Sequence, residues 1–89
     1  MNFTWDTRKA ASNEKKHGAT FAEAATVFAA PLALAVQDEA HDERSLLIGM
    51  SGRMRVLLVV RVELDDDLIR LVSARRATSH ERRRYEEGN

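Results

Sequence analysis

The chain has 89 residues, no cysteine, and 14 basic against 14 acidic side chains, so its formal net charge is zero. A chain of this length folds as one domain that buries about two-thirds of its unfolded surface, and it can use neither disulfides nor thiolate metal ligands. A net charge of zero excludes a global field that draws in nucleic acid, yet residues 70–84 hold six arginines against one acid. Local clusters decide what a surface binds, so we expect a single domain over residues 1–89 with an anion-binding C-terminal third.

The N-terminus and the apolar segments indicate a cytoplasmic protein. Residues 1–6 lack the basic region and apolar core of a signal peptide. The most apolar window, residues 24–36, is interrupted by Pro31 and is too short to cross a bilayer about 30 Å thick. We therefore expect a soluble cytoplasmic protein without membrane contacts.

A short strand and a first helix are predicted at the start of the chain. Residues 2–5 carry Phe and Trp, which suit a strand. Asp6 is a suitable N-cap for a helix over residues 7–17. Its apolar face is thin, and Gly18 stands where a C-cap glycine belongs.

A second helix is predicted to begin after Thr20, which forms a capping-box pair with Glu23. Apolar residues recur there at i, i+3, i+4 and i+7, so this helix buries one stripe. The stripe consists of Phe21, Ala24, Ala25 and Phe28, and Pro31 ends the helix.

After Pro31 the pattern changes to strands. Apolar runs occupy residues 32–36, 45–50, 55–63 and 68–75, and the last two read as an antiparallel hairpin with an acidic turn. Thr78 and Glu81 form a capping box for a polar helix over residues 79–87, which only Tyr85 can dock on the sheet. The predicted order is β-α-α-β-β-β-β-α, an α+β domain with two helices packed on one face of an antiparallel sheet.

The hairpin has two interpretations that depend on which face its polar residues occupy. Arg61 and Glu63 share one face of their strand, whereas Val60 and Val62 share the other. If the valines face the helices, the charged pair lies on the opposite face. That face is then either a solvated surface with cross-strand ion pairs or a site that binds a phosphodiester and moves its protons. The residues alone leave both interpretations open for the set Arg61, Glu63, Ser73 and Arg75.

Lys15, Lys16, His17 and Gly18 also allow two interpretations. Cations at a helix C-terminus match the helix dipole, which alone explains the composition. The same cluster of an imidazole and two ammonium groups suits a phosphate. The three histidines lack the i, i+4 spacing of a helical metal pair, and no phosphate-binding Gly-rich loop is present. We therefore expect neither a metal nor a cofactor.

The chain resembles the BrnT-type toxins of type II toxin–antitoxin modules. The resemblance spans nearly the whole chain and rests on the order and spacing of short motifs. These are Phe3-Thr4-Trp5-Asp6, Lys16-His17-Gly18, residues 21–28, Pro31-Leu32-Ala33, Ile48-Gly49, residues 57–60, Glu63, residues 69–78, Glu81 and Arg84-Tyr85. The resemblance implies a RelE-like fold, a metal-independent endoribonuclease that arrests growth by cutting RNA, and a hetero-oligomer with a DNA-binding, BrnA-like antitoxin.

For such an enzyme we expect the RNA 2′-hydroxyl to attack the adjacent phosphate. The catalytic set is predicted to be His17 or Glu63 as acid or base, with Arg61, Arg75 and Arg76 stabilising the phosphorane. The predicted RNA-binding residues are Lys15, Lys16, Arg70, Ser73, Arg84 and Tyr85, of which Tyr85 stacks on a base. The competing hypothesis is a non-catalytic adaptor that binds RNA or protein through the same basic sheet face.

Overall fold

The computed structural model describes residues 1–88 and contains every predicted element. The strands are β1 (Asn2–Thr4), β2 (Leu34–Gln37), β3 (Ser45–Met50), β4 (Val56–Asp65) and β5 (Leu68–Arg76). The helices are α1 (Thr7–His17), α2 (Phe21–Thr26), which continues as a 3-10 turn (Val27–Ala29), and α3 (Ser79–Glu86). The predicted order β-α-α-β-β-β-β-α is confirmed, with boundaries that differ by one or two residues.

The five strands form one mixed sheet in the order β1-β5-β4-β3-β2. Strands β2 to β5 pair antiparallel, but β1 pairs parallel with β5, from Asn2 opposite Leu68 to Thr4 opposite Arg70. The prediction of a wholly antiparallel sheet is therefore wrong for β1. No local signal in β1 specifies its partner, because β5 follows β1 by more than 60 residues.

Helices α1 and α2 cover one face of the sheet, called the helix face below. Phe21, Ala24 and Val27 of the helical layer are buried against Leu57, Val59 and other residues of β3, β4 and β5. The predicted stripe of the second helix is confirmed, since Phe21 and Ala24 are buried and Ala25 and Phe28 pack against the same cluster. Apolar burial of this kind is the main stabilising term of a small domain.

On the opposite face of the sheet, α3 packs against β3 and its neighbours. A second cluster forms there from Ile48, Val56 and Leu58, with Ala77 and Tyr85 packed against it. Tyr85 docks α3 as predicted, and the α3 capping box between Thr78 and Glu81 is present. No α3 side chain is fully buried.

A bulge in β5 separates two registers of the hairpin. Ser73 pairs with Val60 and Leu71 with Arg61, which leaves Val72 without a partner on β4. A bulge redirects its side chain and increases the local twist. Because of this bulge, Ile69, Leu71 and Ala74 all contribute to the helix-face core despite their uneven spacing. Among residues 1–88, no helix is long and apolar enough to cross a membrane.

Candidate active site

The end of α1 places two lysines and a histidine at one corner of the molecule. Asp6 begins the helix by accepting the amides of Arg8 and Lys9, and these backbone hydrogen bonds lower the pKa of its carboxyl. Gly18 ends the helix in the left-handed conformation, with φ of 71°. Lys15, Lys16 and His17 therefore occupy the last turn, where the helix dipole favours positive charge.

Asn13 fastens α1 to β5 and was not predicted as a site residue. Its Nδ2 donates to the carbonyls of Ala19 (3.0 Å) and Ala74 (2.8 Å), and its Oδ1 accepts from the Ala74 amide at 3.1 Å. The side chain thus completes the edge of β5 beyond the end of β1. A signal was present in the sequence, because Asn13 shares a helix face with Ala10 and His17. The amide brings the turn after α1 into contact with β5.

A buried ion pair joins the same turn to the loop between β3 and β4. The Glu23 side chain is only 3% exposed, and both its oxygens accept from the Arg55 guanidinium. Its Oε2 also accepts from the Ser51 hydroxyl at 2.6 Å, and Arg55 donates to the Gly18 carbonyl at 3.0 Å. Chiefly because of the Arg55 hydrogen bond, the pKa of Glu23 is lowered although burial raises it, and the pKa of Arg55 is raised.

This ion pair corrects the predicted capping box of α2. Thr20 caps the Glu23 amide as expected, but the Glu23 carboxylate binds Arg55 and Ser51 rather than the N-cap backbone. Sequence reasoning missed Arg55 as well, because the two residues lie 32 positions apart. The pair holds Gly18, and hence the end of α1, against the start of β4.

The end of β5 reaches the same corner. Arg76 lies opposite Leu57, so it projects from the helix face, and the Ala77 amide donates to the Val56 carbonyl at 2.9 Å. Among residues 1–88, neither Arg76 nor Lys16 takes part in an ion pair. Arg53 makes a long ion pair of 4.0 Å with the Glu23 carboxylate. We call the corner formed by Lys15, Lys16, His17 and Arg76 the basic end.

A groove runs from the basic end along α1 and has a volume of about 340 Å³. Val72, the bulged residue of β5, forms its wall on the sheet side. The helix side consists of two adjacent rows of side chains with i, i+4 spacing. One row is Arg8, Ser12 and Lys16, and the other is Lys9, Asn13 and His17. Arg8 and Lys9 were not predicted as site residues. We call this feature the α1 groove.

Arg61 and Glu63 lie on the helix face, which corrects their predicted orientation. Val60 and Val62 occupy the opposite face, because Arg61 pairs with Leu71 and Glu63 with Ile69. The Arg61 guanidinium stacks on Phe28 at 5.1 Å, is 3.7 Å from Glu63, and leaves its buried Nε without a hydrogen bond. Strand β4 is apolar on both faces from residue 56 to 60, so its sequence carried no information on which face meets the helices.

Glu63 is also far from the basic end along the strand. It lies six residues from Leu57, the residue opposite Arg76, which corresponds to about 20 Å. A side chain cannot bridge such a distance to act on the same phosphate. Arg61 and Glu63 therefore form a separate cluster and do not share a site with His17 and Arg76.

Arg75 and Ser73 lie on the opposite face of the sheet from Arg61 and Glu63, because they pair with Leu58 and Val60. Both Arg75 terminal nitrogens donate to Glu81 of α3, at 2.8 and 2.9 Å. The Arg75 hydrogen bonds are the largest cause of a lowered pKa for Glu81 and raise the pKa of Arg75. The predicted grouping of these residues on one sheet face is thus wrong, and Arg75 anchors α3 to β5.

The remaining predicted RNA-binding residues are distributed over α3 and the sheet face on which α3 packs. Arg70 lies opposite Val62, Arg84 is exposed on α3, and Tyr85 packs on the apolar cluster of the sheet. Of the predicted set, Lys15, Lys16 and His17 thus share the end of α1, with Arg76 at the end of β5, whereas Arg61 and Glu63 form a separate pair. In the described part of the chain, no group of three or more His, Asp or Glu side chains is placed to hold a metal ion.

Fold and site together define a small α+β protein with a corner suited to a phosphodiester. Unpaired lysine and arginine side chains attract phosphate, and an imidazole can donate or accept a proton. The lysines and the imidazole lie at the end of α1, and the arginine lies at the end of β5 on the helix face of the sheet.

The chain belongs to the BrnT toxin family. The family model described as "Ribonuclease toxin, BrnT, of type II toxin-antitoxin system" matches residues 5–81. The fold is similar to the crystal structure of the Brucella abortus ribonuclease toxin BrnT, with a TM-score of 0.72 and 23% identity, over 89% of this chain and 99% of that chain. No curated protein sequence matches significantly.

The predicted function is confirmed at the level of the family. The protein is a ribonuclease toxin of a type II toxin–antitoxin system, with RNA as its target and an antitoxin as its partner. This membership decides between the two hypotheses left open by the sequence in favour of the enzyme over the adaptor.

Proposed function

We propose that the toxin cleaves RNA at the basic end, without a metal ion, and that His17 transfers a proton during cleavage. The observation that carries this proposal is that the half-buried His17 imidazole and Lys16 line one groove, while Arg76 lies two residues beyond Ala74, which Asn13 of the same helix binds. Three features place these residues at the same corner. Asn13 joins α1 to Ala74 of β5, Arg55 joins the start of β4 to Gly18, and the register of β4 and β5 places Arg76 opposite Leu57.

The proposed reaction is an attack of the RNA 2′-oxygen on the adjacent phosphorus. The 2′-hydroxyl loses its proton as the new O–P bond forms, and the 5′-oxygen gains a proton as its bond to phosphorus breaks. The products are a 2′,3′-cyclic phosphate and a free 5′-hydroxyl. His17 carries one of these two protons, a role worth about 10²–10⁴-fold in rate, and water exchanges the other. Arg76 and Lys16 meet the negative charge that develops on the phosphorane oxygens.

The other predicted catalytic residues take different places in this proposal. Arg75 acts as a positioning residue for α3, because its guanidinium is already engaged by Glu81. Glu63 and Arg61 are separated from the scissile phosphate and carry no step of the reaction. Lys15, exposed beside Lys16, binds the flanking RNA backbone and contributes to the salt dependence of binding.

We further propose that the antitoxin is a BrnA-like, DNA-binding protein and that toxin and antitoxin form a hetero-oligomer in the cytoplasm. The family supports an antitoxin partner in general. Co-purification of the toxin with the product of the neighbouring gene, followed by binding of the complex to its own promoter DNA, tests this assignment. A complex that does not bind DNA would contradict it.

The catalytic assignment is tested by replacing His17 with Ala and measuring cleavage of a labelled RNA in the presence of EDTA. We expect the wild-type protein to remain active and the variant to lose about 10²–10⁴-fold in kcat. His80→Ala, a change at an exposed histidine on α3, serves as the matched control and should leave kcat unchanged. Wild-type kcat in the His17 variant would refute the role of the imidazole, and loss of wild-type activity in EDTA would refute metal independence.

A further inference from the structure

The α1 groove has the charge and position of an extension of the cleavage site. Its helix side presents Arg8, Lys9, Lys16 and His17, and its sheet side presents the apolar Val72. Among the described residues, neither Arg8 nor Lys9 takes part in an ion pair. These cations are thus available to a ligand with repeated negative charges.

We propose that the α1 groove is a subsite for single-stranded RNA, which holds the nucleotides next to the scissile phosphate. This inference rests on the proposed function, because Lys16 and His17 line both the groove and the basic end. An RNA strand whose phosphate lies at His17 has the groove as its continuation along α1. Continuity with the active site favours RNA as the occupant over an acidic protein segment.

The dimensions of the groove set the length of RNA that it holds. Residues 8 to 17 of α1 extend over about 13 Å. A stacked strand advances about 3.4 Å per nucleotide and an extended strand advances further, so the groove accommodates about two to four nucleotides. Positive charge lies at both ends of the groove, from Arg8 and Lys9 at one end and from Lys16 at the other, with the neutral Ser12 and Asn13 between them.

The bulge at Val72 shapes the groove. In a regular strand Val72 would lie on the sheet face opposite to that of Leu71. The bulge instead places Val72 on the helix face, against α1. Its methyl groups offer an apolar wall for riboses or bases, while the cations on the helix side contact phosphates. The groove therefore distinguishes the two sides of a nucleotide strand without reading its sequence, and binding through it should be salt-dependent.

The test measures how affinity grows with RNA length. The probes are 2′-O-methyl oligouridylates of two to eight nucleotides, which cannot be cleaved because the attacking hydroxyl is blocked. For the wild-type toxin we expect affinity to rise with each nucleotide until the groove is filled. The double variant R8Q/K9Q should bind the shortest probes normally, lose roughly 5- to 30-fold on the longest, and show a salt slope lower by about 1.4.

Arg82 and Arg83 supply the matched control, because both are exposed cations on α3, away from the groove. R82Q/R83Q should follow the wild-type length dependence within about twofold. The inference is overturned if wild-type affinity does not rise with length, or if R8Q/K9Q matches the control. It is also overturned if R8Q/K9Q retains its RNA affinity but binds the purified antitoxin more weakly, since the groove is then a protein site.

The His17→Ala variant separates this inference from the proposed function. It should retain the length-dependent gain in binding, while its cleavage is impaired. Normal cleavage by His17→Ala would refute the proposed catalytic role. The binding measurements with RNA of increasing length would still show whether the α1 groove binds RNA. Normal kcat of R8Q/K9Q on a trinucleotide substrate, with a raised KM on an octanucleotide, would support the subsite.

Discussion

Replacing Glu23 with Gln tests whether the buried ion pair holds the domain together. The carboxylate is 3% exposed and accepts hydrogen bonds from Arg55 and Ser51. Gln preserves the shape and one acceptor oxygen but removes the negative charge. Hydrogen bonds to a charged group contribute about 1.5–3 kcal/mol each, and part of this is retained by the amide, so we expect a loss of roughly 2–4 kcal/mol at pH 7. That is a large share of the roughly 4–13 kcal/mol expected for a domain of this size.

The pH dependence of this loss gives the sharper test. Because the pKa of Glu23 is lowered in the folded protein, its contribution is fully present above the unfolded value of 4.5. It is lost as the pH falls through the lower, folded value. The difference in unfolding free energy between wild type and Glu23→Gln should therefore shrink towards zero in strong acid, where the wild-type carboxyl is also neutral.

Urea unfolding followed by circular dichroism at several pH values between 7 and 2 measures this difference. Glu39→Gln is the matched control, because Glu39 is an exposed carboxylate in the loop between β2 and β3 with no described ion pair. Its effect should remain within about 0.5 kcal/mol. A Glu23→Gln loss that stays constant over the whole pH range would refute the ion-pair explanation and indicate a packing effect instead.

Two further substitutions address other contacts that position the site. Asn13→Ala should destabilise the domain by roughly 2–4 kcal/mol in urea, since it leaves the amide and carbonyl of buried Ala74 without partners, whereas Glu14→Ala on the same helix should have little effect. Equal effects of the two would contradict the role of the amide. Arg75→Ala should speed hydrogen exchange of the α3 amides, because Arg75 binds Glu81 of α3, while kcat stays near the wild-type value. Loss of kcat with unchanged exchange would indicate that Arg75 is a catalytic residue.

Local signals in the sequence located every helix and strand, because each rests on neighbouring residues. Asp6 and Gly18 bound α1, the capping box of Thr78 and Glu81 begins α3, and apolar runs bounded by turn residues mark the strands. The same local pattern identified the Lys-His cluster at the end of α1. Ordered motifs along the chain also indicated the BrnT family, which the family model confirms.

Only the tertiary structure decided which of the predicted residues meet. The first half of β4 is apolar on both faces, so periodicity could not place Arg61 and Glu63. Strand length then separates Glu63 from Leu57, the residue opposite Arg76, by about 20 Å. The partners of Glu23 and Asn13 are 32 and 61 residues away, beyond the reach of any local rule. The sequence alone thus determined the elements and the family, whereas long-range hydrogen bonds and the bulge at Val72 determined the basic end and its groove.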